Sequence, residues 1–207
     1  VTSYSVADAA TILTLDVYAK VLGAGTYLLA TADDDSVNEA HLIAGAAGLL
    51  GGLYVAPKLT FDTGDLALIP IATGFGLWHG MGLGVYFEEK RYLKGNAAAG
   101  LILTTTSLAG LSALSVSQVI KLSAFEVAVA ASGAAWGGWI AGWLFALPDH
   151  THFEDIWLTA VLGSDAGLIV STVFLASMGP SGPMILGGAS AGGIVGAGLA
   201  VLGVAMK

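Results

Sequence analysis

At 207 residues, 56% hydrophobic and 11% charged, with a mean hydropathy of +0.81, the chain is too apolar for a soluble domain. Such a domain carries about 25% charged residues and is too small to hide this much apolar surface. The formal charge of −8, from 15 acidic and 7 basic residues, excludes a nucleic-acid partner, and the absence of Cys excludes disulfides, thiolate metal sites and catalytic thiols.

The apolar runs are long, unalternating and rich in Ala, Gly and Leu. A transmembrane β-barrel would alternate apolar with polar residues, so the pattern predicts helices that satisfy their own backbone in lipid. Spanning a bilayer takes about 20 apolar residues. The first apolar stretch, 6–31, carries Asp8, Asp16 and Lys20 with nothing basic before it, so it does not read as a signal peptide. A leader removed before Val1 would place that end outside the cytoplasm. Asp16 and Lys20 stand at i,i+4 and can pair on one helix face. The stretch reads as a seventh span or as an interfacial helix. Six clear spans follow, at 40–57, 65–87, 95–115, 122–146, 156–178 and 183–206.

Short polar links join them, which makes successive helices antiparallel neighbours. Lys90, Arg91 and Lys94 form the one basic cluster. The positive-inside rule then makes loop 88–94 and the C-terminus cytoplasmic, in a cytoplasmic-type inner membrane.

Shifting the chain by 58 residues brings alternate spans into register. Gly80 falls on Gly138 and Gly196, Gly76 on Ala134 and Gly192, and Gly84 on Gly142. Ala72 falls on Ala130 and Gly188, and Trp78 on Trp136. At the span starts Asp65, Ser123 and Ser181 coincide, all of them good N-cap residues. Ala141, three residues past Gly138, falls off this row. The other spans carry Gly48 with Gly52, Asn96 with Gly100, and Gly163 with Gly167. Small residues every fourth position let helix backbones approach closely. The expected fold is an all-α membrane domain of six or seven helices, arranged as three hairpin repeats in parallel orientation. Residues 1–39 form the N-terminal helix and an acidic loop, and the hairpins occupy 40–94, 95–155 and 156–207.

Ionisable groups inside lipid are costly and count as functional candidates. His79, in the middle of its span, is a candidate ligand for a metal or pigment, or a packing histidine bonded to its own helix. Asp165 is the candidate ion or proton site, with Thr104, Thr105 and Thr106 as hydrogen-bonding alternatives. Glu126, one turn into its helix, suits the positive end of the helix dipole. Loop 148–155 gathers His150 and His152 with Asp149, Glu154 and Asp155, a possible divalent-metal set whose acidic members also serve as helix caps. Trp143 and Trp157 suit the membrane interface, with Trp136 and Trp139 deeper. No nucleophile elbow, nucleotide loop or zinc-protease motif is present.

These features predict a non-enzymatic structural or assembly subunit, packed by glycine zippers. Its expected partners are the lipid bilayer and other membrane subunits or copies of itself. The alternative is a channel or transporter with a path along the pseudo-symmetry axis. No cofactor is identified by the sequence.

Overall fold

A computed structural model describes residues 4–147 and 152–178. The described chain is helical: α1 (Val6–Thr31), α2 (Val37–Val55), α3 (Thr63–Glu89), α4 (Ala97–Val116), α5 (Ala124–Ala146) and α6 (Phe153–Met178), with a 3-10 turn at Ala56–Lys58 after α2. All six helices are long and apolar enough to cross a membrane. The protein is an all-α integral membrane protein. The stretch 6–31 is one continuous helix of 26 residues, about 39 Å long at 1.5 Å per residue. The span expected at 183–206 lies outside the described residues.

Local chemistry sets the helix starts. Capping boxes open α1 (Ser5 with Asp8), α3 (Asp62 with Asp65) and α5 (Ser123 with Glu126). In each, the first side chain accepts from a backbone N–H that the helix cannot satisfy, and the acidic one accepts in return. The helix α1 ends at Ala32 in the left-handed conformation. Gly95, at φ +54, turns the chain into α4 against the Ala32 carbonyl, where a side chain would not fit.

The chain divides into two compact units, Val1–Lys121 and Leu122–Lys207. In the first, α1 packs on both α2 and α4, and α4 packs on α3. The four helices therefore stand in single file, in the order α2, α1, α4, α3. Side chains bridge one gap in this file: the Tyr18 ring of α1 lies in the notch at Gly110 of α4, and its hydroxyl meets Thr73 Oγ1 of α3 at 2.6 Å. In the second unit α5 packs on α6.

This pairing differs from the hairpins expected at 40–94 and 95–155. Among the described residues α2 does not pack on α3. The reason is α1, which is long enough to span the membrane and takes the glycine face of α2. Pairing therefore begins one helix earlier, as α1 with α2, α3 with α4, and α5 with α6. Asp65 and Ser123 coincide in the 58-residue register but differ in role. Asp62 is the N-cap of α3 and Asp65 answers it from the third helical position, whereas Ser123 is itself the N-cap of α5.

Candidate functional site

Glycine lines every helix contact. On α2, Gly48 faces Ala19 and the Leu15 carbonyl of α1, Gly52 faces Ile12, and Gly45 lies under the Lys20 stem. Between α1 and α4, Gly25 abuts Thr104 and Gly100 abuts Leu29. On α3, Gly76 faces Thr105 and Ala109, Gly80 faces Ile102 and Thr105, and Gly84 lies more loosely against Ala98 and Ile102. In the second unit, Gly138 and Gly142 face Ala160 and Ser164 of α6. The closest row of α5 runs beside them, through Gly133 and Gly137 against Gly163, Gly167 and Ser171. Ala141 belongs to that tight row: a Cβ added at Gly163 would strike the Ala141 Cβ. It is therefore not the off-row position that the 58-residue register implies. Gly188, Gly192 and Gly196 lie outside the described residues.

These seams position the polar groups. Asp16 and Lys20 stand near the middle of α1 and form an ion pair of 2.6 Å. The side chains are 15% and 33% exposed, respectively, so the pair is neither sealed in nor free. The missing side chain at Gly45 makes room for the lysine stem. On α4, where it meets α1, Thr104 Oγ1 is buried without a hydrogen-bond partner among the described residues. It lies against Gly25, where a Cα–H can point at it as a weak donor. The other hydroxyls of that run bond back to their own helix: Thr105 to the carbonyl of Leu101, and Thr106 to that of Ile102.

A second polar cluster ties the start of α3 to the end of α4. Asp65 is 1% exposed and accepts from Lys121 Nζ at 2.7 Å and from the Asp62 N–H at 3.0 Å. Lys121 also lies 3.9 Å from Asp62. Gln118 accepts from the Thr60 N–H at 3.1 Å and donates to the buried Ser117 hydroxyl at 3.0 Å. Sequence reasoning missed this cluster. Its one legible signal is the acidic pair Asp62–Asp65 at capping-box spacing. The partner Lys121 is far along the chain, and only folding brings it near.

The residues singled out by sequence do not converge. His79 Nδ1 bonds to the Phe75 carbonyl at 2.8 Å, one turn back, and its ring rests on Phe75. Asp165 is half-buried on α6, beside buried Ser164. Glu126 completes the α5 capping box. His152 is exposed, and its backbone carbonyl accepts from Asp155 and Ile156 at the start of α6; His150 lies outside the described residues. Trp136, Trp139 and Trp143 are exposed on one side of α5, the last two edge to face. The strongest candidate is therefore the Asp16–Lys20 pair on the α1–α2 seam, two opposite charges near the middle of a helix long and apolar enough to cross a membrane, where charge is costly. The chain matches no protein-family model, no curated protein and no solved structure.

Proposed function

We propose that this chain is a structural or assembly subunit of a membrane complex, without enzymatic activity, built to be packed against other helices. The observation that carries the reading is the single file of α2, α1, α4 and α3. Among the described residues the end helices α2 and α3 each pack on one other long helix, so most of their surface is left over there. On α2 this surface carries Leu42, Ile43, Leu50 and Tyr54 around Gly51; on α3 it carries Leu66, Ile71, Leu77 and Met81 around Gly74. Gly51 and Gly74 have open space where a side chain would go. Glycine in an outward helix face costs helix stability but lets a further backbone approach closely, and close packing is what drives association in lipid. Lipid covers such a face without needing glycine in it.

Purification in a mild detergent, with native mass measured, tests the reading. A multi-subunit particle is expected, and Gly51→Leu or Gly74→Leu should shrink it while the subunit keeps its own thermal stability. A single-copy particle that both substitutions leave unchanged overturns it.

The second reading, a channel or transporter, draws on the ionisable Asp16, Lys20 and Asp165 within spans. It predicts solute or ion flux in liposomes that Asp165→Asn abolishes with stability intact; flux unchanged by that substitution removes Asp165 as its site.

A further inference from the structure

Five residues form a stripe along the first half of α1: Val6, Ala10, Leu13, Val17 and Lys20, spaced alternately by four and three. That alternation is the 3.5-residue repeat of helices packed in a left-handed crossing. Val6, Leu13 and Val17 are 88%, 63% and 55% exposed, although α1 already has neighbours on both flanks. The stripe ends at the ion pair, with Lys20 in it and Asp16 at its edge. A partly exposed pair at this depth is poorly served by lipid tails, which offer neither charge nor hydrogen bond. Whatever covers the stripe must therefore be apolar over three turns and then present both signs of charge one turn apart.

The apolar segment 183–206 of this chain has a single Ser190 as its hydroxyl and no charge, so it meets only the first condition. A second copy meets both. Copies inserted in the same sense are related by a two-fold axis along the membrane normal, which sets two α1 helices parallel with equal residues at equal height. Asp16 and Lys20 are about 6 Å apart along the axis, within the reach of a lysine side chain. The two pairs then form one neutral group of four charges, each lysine between two carboxylates.

We propose that a second copy of this chain docks on the outer stripe of α1, its Asp16 and Lys20 exchanging ion pairs with those of the first. This rests on the assembly reading and names one of its partners.

The chain has no Cys, so single cysteines report contacts without background. Val17→Cys in native membranes under mild oxidation should give a disulfide-linked homodimer. Thr26→Cys, exposed on the opposite side of α1, should give several-fold less. Asp16→Asn in the Val17→Cys background should lower the dimer yield. Equal yields from Val17→Cys and Thr26→Cys overturn the proposal, as does a Val17→Cys adduct only to a different protein. If either occurs while the native particle remains multi-subunit, this interface fails and the assembly reading stands.

Discussion

At the scale of single residues, the decisive contacts join groups far apart in the chain. Asp65 is sealed at the start of α3, and its charge is met by Lys121 and by the Asp62 N–H. Lys121 is about half exposed, so the pair's net worth is modest. Removing the lysine alone is worse than removing both charges, because it strands a buried carboxylate. Lys121→Met is expected to destabilise the protein by about 1.5–3 kcal/mol, the usual scale for hydrogen bonds to charged groups. The double variant Asp65→Asn with Lys121→Met should recover part of that loss. Thermal or denaturant unfolding in a bilayer mimic checks both; a double variant worse than Lys121→Met alone would show that the carboxylate is satisfied without the lysine. Asp65 was read in the sequence as an N-cap, but nothing there pointed to Lys121, because no local rule joins a helix start to a loop residue 56 positions farther on.

At the scale of helices, a seam is defined by what an added side chain would strike. A Cβ at Gly80 would lie 2.7 Å from the Ile102 Cα, and one at Gly137 2.9 Å from the Gly167 Cα. Backbone cannot move aside as a side chain can. Gly80→Leu and Gly137→Leu are therefore expected to cost about 1–3 kcal/mol each, the range for overpacking. Ala141→Leu should fall with them, because its Cβ already touches the Gly163 site. Gly138→Leu is expected to be somewhat milder, its nearest obstacles standing at 3.0 and 3.2 Å. Gly51→Ala and Gly74→Ala meet nothing and should stabilise the subunit by up to about 1 kcal/mol, through the lower backbone entropy of alanine. Unfolding measurements on the set check the order; Gly51→Ala as harmful as Gly80→Leu would contradict the seams. Gly48, Gly52, Gly76, Gly80 and Gly84 were legible from four-residue spacing. Gly133 and Gly137 were not, because in α5 two adjacent glycine rows share the spacing and only the position of α6 distinguishes them.

At the scale of the molecule, the first unit closes on itself through contacts from both ends of its span. Tyr18 reaches Thr73 across α4, Asn96 donates to the Ala32 carbonyl, and Lys121 returns to Asp65. A chain ending at Lys121, inserted in membranes, is expected to keep the protease resistance of its α1–α4 loops seen in the whole protein. Cleavage in the loop 117–122 of the intact chain should likewise leave those four helices together. Mass spectrometry of the protected fragments checks this; rapid digestion of 32–36 or 59–62 in the shortened chain would show that the unit needs its continuation.

The sequence by itself determined that the chain lives in a membrane and does so as helices, since hydropathy and backbone satisfaction in lipid depend on composition and run length alone. It also set the helix start at Ser123, because capping chemistry acts within one turn. It carried the Asp16–Lys20 pair for the same reason, both residues sharing one helix face. The tertiary structure decided which helices are partners. Connection length makes α2 and α3 candidates for a hairpin, yet both turn to other neighbours, because in lipid no hydrophobic force favours one apolar face over another. The choice falls to shape, to whether a glycine on one helix finds the right ridge on the next. That complementarity between Gly48 and Ala19, or Gly76 and Ala109, involves residues that no local pattern connects.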